Sequence, residues 1–115
     1  MIIRKLDQVP ATAVAMEGVL GASRQLVLGT PDGVPTFSFR VFSLEPDGHT
    51  PRHSHVSEHL NYVLEGEGVL VDPEGNERPL AAGDFAFVSP GELHQFRNAG
   101  AGVFRFLCAV PKEYE

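Results

Sequence analysis

Histidine is concentrated in one short stretch of this chain. His53, His55 and His59 lie within seven residues, and His94 follows in a second segment, so that only His49 of the five histidines stands apart. Imidazole is the usual nitrogen ligand for divalent transition metals. On a strand, His53 and His55 would point to the same side about 6.6 Å apart, and their rings could converge on one ion. The spacing therefore suggests a metal site.

The segments that must position these histidines have the rhythm of a β-protein. Glycine and proline recur along the chain, and the short apolar runs between them predict strands at residues 24–28, 36–44, 60–64, 68–72, 84–88, 95–97 and 103–110. Residues 73–76 indicate a turn that makes a hairpin of 68–72 with 77–80. Only residues 9–19 could hold a helical turn or two. We expect one all-β domain, a sandwich or barrel spanning residues 1–115.

Composition narrows the classes of function. Apolar residues make up 43% of the chain, which favours a folded domain. The net charge of −6 argues against a nucleic-acid partner, because phosphate binding needs clustered lysine and arginine. No apolar run approaches the roughly 20 residues that span a bilayer, and the first residues do not resemble a secretory signal. We expect a cytoplasmic protein with no membrane partner, in which Cys108 is a small buried side chain.

The first histidine segment resembles a known sequence motif. In residues 48–66, a glycine precedes His53-Ser-His55 and Gly66 closes the segment, as in the first motif of the cupin superfamily. One departure matters: His59 stands where most metal-binding cupins carry glutamate, seven residues before Gly66. This departure is similar to a subset of small single-domain cupins, some labelled oxalate-decarboxylase-like, that bind metal through four histidines.

The second segment, residues 83–98, resembles the second cupin motif. It opens with Gly83, contains His94 and ends with Asn98. Ser89 departs from the usual proline, but the next residue is proline and can serve the same turn. The two motifs and the segment between them cover residues 48–98. This resemblance implies a double-stranded β-helix, the jelly-roll barrel of the cupins, with the motifs facing each other across its mouth.

The resemblance also implies a ligand set. His53, His55 and His94 match the family's ligand positions, and His59 is expected to be the fourth ligand. The alternative is the adjacent Glu58, which would face the opposite side of a regular strand.

Four neutral imidazoles would leave the charge of a divalent ion intact, whereas a carboxylate would cancel half of it. We therefore expect an anionic small-molecule ligand. Mn, Fe, Ni, Co and Cu keep open positions beside four ligands, whereas a tetrahedral Zn site would be saturated. The sequence does not choose among these six metals.

Other residues are weaker candidates for the pocket. Arg40 could bind a substrate carboxylate through two hydrogen bonds, or it could be a structural arginine at the barrel edge. Asn61 would share the face of His59 and could line the pocket, or it could serve a turn or lie at the surface; Phe96 would share the face of His94. Phe96 and six other phenylalanines are interpreted as core residues: Phe37, Phe39, Phe85, Phe87, Phe104 and Phe106.

The expected function is that of a metal-dependent enzyme acting on a small molecule. The resemblance implies a dioxygenase, decarboxylase, isomerase or cyclase, in which the metal acts as a Lewis acid on a carboxylated or enolisable substrate. The alternative is a non-catalytic cupin that binds a metal or small ligand, such as a sensor or a sugar-binding module. We also expect a homodimer formed through edge strands, with the N-terminal strand as a plausible donor.

Overall fold

The computed structural model describes residues 1–115 and contains nine strands in one sheet. The strands are β1 Thr12–Ala13, β2 Leu20–Leu28, β3 Phe37–His49, β4 His59–Glu65, β5 Glu67–Val71, β6 Glu77–Ala81, β7 Phe85–Val88, β8 Gln95–Asn98 and β9 Phe104–Pro111. Three short 3₁₀ helices lie at Leu6–Gln8, Thr30–Asp32 and Lys112–Tyr114. None of them is long and apolar enough to cross a membrane. The cytoplasmic location stays a prediction.

Strands that are distant in the chain are neighbours in the sheet. The order is β6-β5-β8-β3-β9-β4-β7, and β2 pairs with both β1 and β3. All of these pairs are antiparallel. The long strand β3 pairs with β2, β8 and β9, and register shifts interrupt its pairing with β2. Such irregularities increase the twist of a strand and let a sheet curl around its own core.

The core lies inside this curled sheet. Strand β9 alternates strictly between buried and half-buried residues, so that Phe104, Phe106, Cys108 and Val110 all point inward. The main cluster of buried apolar side chains is Leu44, Val63, Leu80, Val88, Phe96, Phe104 and Phe106. Each such side chain contributes about 1.5–3 kcal/mol when it leaves water. Strand β9 pairs with β3 on one edge and with β4 on the other. Its inward side chains therefore pack with core residues from both neighbouring strands.

The predicted strands and the hairpin at residues 68–80 are confirmed, but two local expectations are wrong. Residues 9–19 contain no helical turn, because β1 pairs with β2 there and the preceding residues form the 3₁₀ helix. His53 and His55 do not lie on a regular strand. They belong to an irregular connection between β3 and β4, in which His53 forms an isolated bridge with His94.

Four phenylalanines predicted to be core residues lie on the outside. The exposed fractions of Phe37, Phe39, Phe85 and Phe87 are 61%, 41%, 80% and 58%. Side chains on a strand alternate between faces, and in β3 it is Ser38 and Arg40 that point inward. The inward face of β3 near Phe37 and Phe39 is therefore polar, whereas β7 turns Ala86 and Val88 inward and leaves Phe85 and Phe87 outside. Phe96, Phe104 and Phe106 are buried, as predicted.

Gly66 forms the sharp connection between β4 and β5, and Gly68 is the second residue of β5. Gly66 has φ of 82°, and a Cβ atom there would lie 2.1 Å from the carbonyl oxygen of Val103. A Cβ atom at Gly68 would lie 2.3 Å from the ring of Phe104, which is fully buried. Neither position has room for a side chain, so both glycines are needed for close packing of β5 against the start of β9.

We expect Gly68→Ala to destabilise the fold by about 1–3 kcal/mol, because the added methyl group must displace the Phe104 ring from a packed core. The free energy of unfolding in urea measures this. Gly102→Ala is the matched control, since a Cβ atom at Gly102 has no heavy atom within 4 Å. Equal stability of the two variants would contradict the expected packing around Gly68.

Candidate metal centre and its pocket

Backbone hydrogen bonds bring the two histidine segments together. The amide of His53 donates to the carbonyl of His94 at 3.1 Å, and the amide of His94 donates to the carbonyl of His53 at 3.0 Å. The amide of Gly91 donates to the carbonyl of His55 at 2.7 Å. The connection between β3 and β4 is therefore fixed to the turn that precedes β8. This attachment places histidines from both segments at one end of the sheet.

Three of the four expected ligands converge. His53, His55 and His94 each offer a nitrogen within 4.8 Å of the others. Their ring centroids are 5.1 Å apart for His53 and His55, 5.2 Å for His53 and His94, and 5.0 Å for His55 and His94. Two nitrogens bound at about 2.1 Å to one ion lie within about 4.2 Å of each other. Small movements of the rings would bring them to that distance.

Hydrogen bonds fix the tautomers of two of these rings. Nδ1 of His55 lies 2.8 Å from the carbonyl oxygen of Ser57, and Nδ1 of His94 lies 2.8 Å from that of Glu92. A carbonyl oxygen only accepts, so Nδ1 carries the proton in both rings and Nε2 keeps a free lone pair. Nε2 of His55 is buried without a hydrogen-bond partner. A buried lone pair of this kind fits a bound metal ion.

His59, the first residue of β4, lies beside these three rings. Its ring centroid is 4.2 Å from that of His55 and 5.5 Å from that of His94. Its Nδ1 atom is buried and has no hydrogen-bond partner. His59 is not in the group of three whose ligand atoms converge within 4.8 Å, so its role as fourth ligand stays a prediction. The competing residue, Glu58, is exposed.

Burial lowers the pKa of three of the rings, which favours their neutral form. Burial, followed by repulsion from His55 and from Arg40, lowers the pKa of His59 to about 3. Burial also lowers the pKa of His53, with smaller effects from His94 and His55. Burial is likewise the largest cause of the lowered pKa of His94, although the nearby Glu92 raises it in part. Neutral imidazoles are the form that binds metal.

The four histidines line a cavity of about 290 Å³ whose lining is mainly apolar. Of its 17 lining residues, nine are hydrophobic. Three aromatic rings form one wall, in which the centroids of Phe96 and Phe106 are 4.4 Å apart and those of Phe42 and Phe106 are 5.7 Å apart. Phe96 lines this cavity, and its role in binding a substrate stays a prediction.

Of the weaker candidates, Arg40 also lines the cavity. It is 8% exposed, and its Nη2 donates to the Sγ atom of Cys108 at 3.1 Å. Asn61 does not line the cavity. It lies on β4, opposite Cys108 on β9, and is 4% exposed. Its Nδ2 donates to the carbonyl of Leu107 at 3.4 Å.

The sequence interpretation missed several residues of the wall. Cys108 is fully buried, as expected, but it also faces the cavity. Its two-residue spacing from Phe106 indicated a shared face, but the pairing that sets it beside Arg40 could not be read from the sequence. The other missed residues at the mouth are Val14, Met16, Val19 and Tyr114. His49, expected to stand apart, ends β3 and does not line the cavity.

The lowered pKa values predict how stability depends on pH. The unfolded chain binds protons on these histidines near pH 6.5, whereas the folded state binds them only at lower pH, so stability falls as the pH decreases below about 6.5. We expect the melting temperature of EDTA-treated protein to fall from pH 7 to pH 5. This interval lies above the range in which carboxyl groups titrate. His59→Asn should flatten the dependence, and a flat profile for the unaltered protein would contradict it.

Comparison with known proteins supports the fold and identifies the family. The Cupin_2 family, described as a cupin domain, matches residues 40–110. An oxalate-binding protein from Thermotoga maritima is 29% identical over 113 residues, which are 96% of this chain and 93% of that protein.

Two solved structures are similar over almost the whole chain. The polyketide cyclase RemF from Streptomyces resistomycificus is 34% identical with a TM-score of 0.91, covering 96% of this chain and 79% of that one. A predicted oxalate decarboxylase from Thermotoga maritima is 25% identical with a TM-score of 0.84, covering 96% of this chain and 99% of that one. The expected jelly-roll barrel is confirmed, and the chain belongs to the cupin family.

Proposed function

We propose that this chain is a metal-dependent enzyme that acts on a carboxylated or enolisable small molecule. His53, His55, His59 and His94 would hold one divalent ion, which is Mn, Fe, Ni, Co, Cu or Zn. The observation that carries the proposal is the convergence of three imidazoles, two with Nε2 left unprotonated, on an apolar cavity. A bound ion supplies a Lewis acid that polarises a substrate oxygen and stabilises the anion formed from it.

The residues of this chain would bind and orient the substrate in that reaction. The apolar wall excludes water, which strengthens electrostatic interactions within the cavity. The carbonyl groups of Ser57 and Glu92 hold the rings of His55 and His94 in fixed tautomers. No aspartate or glutamate lines the cavity, so no carboxylate is in position to act as a general base. This favours a substrate acidic enough to lose its proton to solvent once its oxygen is polarised, rather than proton abstraction by a carboxylate of the protein.

The similar proteins support two different candidate functions for this chain. RemF is named a polyketide cyclase, and the apolar cavity here favours a comparable reaction on an enolisable compound, such as a cyclisation or isomerisation. The relative from Thermotoga maritima is named an oxalate-binding protein. That name, together with the lack of a carboxylate base, supports the second candidate, a cupin that binds a small anion without converting it. Saturable turnover of an enolisable compound would separate the two.

Elemental analysis of protein purified without added metal or nickel affinity tests the site. We expect one equivalent of a divalent transition metal. His94→Ala should lower metal affinity by at least the roughly 10–100-fold that loss of a supporting residue typically causes, because it removes a ligand itself. His49→Ala is the matched control and should retain the metal. Equal metal content in both variants, or no metal in the unaltered protein, would contradict the proposed centre.

The expected homodimer also belongs to this proposal, with β7 rather than the N-terminal strand as the strand that pairs between copies. β1 and β7 each pair on one side only, with β2 and β4 respectively, but β1 is two residues long whereas β7 has four. Its exposed rings of Phe85 and Phe87 lie beside β4, where Leu60 is opposite Phe87 and is 50% exposed. An open edge with large apolar side chains is suited to pairing with the same strand of a second copy.

Phe85→Ser combined with Phe87→Ser should convert the protein from two chains to one in light scattering, because the substitutions remove the apolar surface beside the open edge. Val56→Ser is the control, since Val56 is 73% exposed but lies outside the strands. An unaltered protein that is already a single chain would rule out this dimer.

A further inference from the structure

The buried polar side-chain atoms without a hydrogen-bond partner are gathered in one region. They are Arg40 Nε, His55 Nε2, His59 Nδ1 and Asn61 Oδ1. Three of these residues line the cavity. Asn61 is paired across the sheet with Cys108, which also lines the cavity. Buried polar groups in folded proteins nearly always have a partner, so a cluster of unpaired ones indicates a missing ligand. The proposed metal accounts for the histidines but not for Arg40.

Strand register explains why Arg40 is next to the histidines. Arg40 on β3 is opposite Cys108 on β9, and Cys108 is opposite Asn61 on β4. The three side chains form one inward-facing row, with exposed fractions of 8%, 0% and 4%. His59 is two residues before Asn61 and shares its face of β4. The positive charge of Arg40 accordingly contributes to the lowered pKa of His59.

Arg40 is a buried cation without an anionic partner. None of the ion pairs in the structure includes it. Its Nη2 donates only to the thiol of Cys108, which is a weak acceptor, and its guanidinium carbon lies 4.9 Å from the centre of the Phe42 ring. Burial of a charge without a counter-charge is strongly unfavourable. The fold therefore keeps a charge at this place at a cost to its own stability, as expected for a residue that serves a ligand.

We propose that Arg40 binds the carboxylate of the substrate and that the cavity selects a planar, apolar monocarboxylate. This inference rests on the proposed function and names the substrate class for the same site. A guanidinium binds a carboxylate through two parallel hydrogen bonds, and Arg40 lines the cavity with only one of its hydrogen bonds made within the fold. Arg40 is then a specificity-determining residue, and the histidines act on another part of the same molecule.

The shape and polarity of the wall support an apolar body for this substrate. A cavity of about 290 Å³ is close to the lower limit of roughly 300 Å³ for ligand pockets, which suits a compound of one or two rings. Phe42, Phe96 and Phe106 offer flat surfaces against which a planar ring can pack. Arg40 is the one charged side chain among the lining residues. Oxalate has two carboxylates and no apolar surface, so it would make no favourable apolar contact with these aromatic rings.

Isothermal titration with 2-naphthoate, its neutral analogue 2-naphthamide, and oxalate tests the proposal. Arg40→Gln should weaken binding of 2-naphthoate by roughly tenfold or more, because charge-assisted hydrogen bonds are lost. Binding of 2-naphthamide should change by less than about twofold, because this neutral compound has no carboxylate for Arg40 to bind. The unaltered protein should bind 2-naphthoate more tightly than oxalate. Equal binding of 2-naphthoate by both proteins, or tighter binding of oxalate, would overturn the inference.

Two further variants separate recognition from a structural role. Arg105→Gln is the matched control, because Arg105 lies on β9, outside the cavity, and donates to Ser43; its 2-naphthoate affinity should be unchanged. The melting temperature of ligand-free Arg40→Gln should be equal to or higher than that of the unaltered protein, since an unpaired buried charge is removed. A lower melting temperature would indicate a structural arginine instead. If that variant does not fold, Arg40→Lys keeps the charge without the paired donors and should still weaken 2-naphthoate binding.

The same titration on EDTA-treated protein distinguishes this inference from the proposed function. Arg40-dependent binding that persists without metal supports the inference even if elemental analysis finds no ion. A normal metal content, combined with binding of 2-naphthoate that does not depend on Arg40, overturns the inference and leaves the metal centre standing.

Discussion

The antiparallel bridge between His53 and His94 is the contact on which the rest of the site depends. Two backbone hydrogen bonds join the irregular connection after β3 to the turn before β8. Without them the histidines would belong to separate loops. With them, three rings lie about 5 Å apart at their centroids, and the apolar cavity has a polar end. Backbone pairing, rather than contact between the side chains, therefore assembles the centre.

The sequence predicted the parts that depend on local pattern. The short strands, the hairpin at residues 68–80 and the histidine segments follow from glycine and proline placement and from spacing that can be read directly. Asn98, which ends the second of these segments, donates through Nδ2 to the carbonyls of Leu44 and Gly102. The family resemblance added the barrel, which the periodicity alone left open between sandwich and barrel.

What the sequence did not predict depends on contacts between distant strands. The alternation in β3 allowed either face to point inward, and aromatic rings were the natural choice for the core. Instead Ser38 and Arg40 are buried and Phe37 and Phe39 are exposed. The reason is the pairing of Arg40 with Cys108, 68 residues later, which puts the guanidinium beside the cavity. Local hydrophobicity carries no information about such a pairing, so burial was assigned to the wrong face.

The mouth of the cavity is built differently from its interior. Val14, Met16 and Val19 lie between β1 and β2 or at their margins, and Tyr114 lies in the last 3₁₀ helix, so none of them is a strand residue. Met16 and Tyr114 remain about half exposed. Substitutions at this rim can therefore alter which molecules enter while the packed barrel stays intact. Descendants of this protein could diversify their ligands through the rim alone, which separates the evolution of selectivity from the maintenance of the fold.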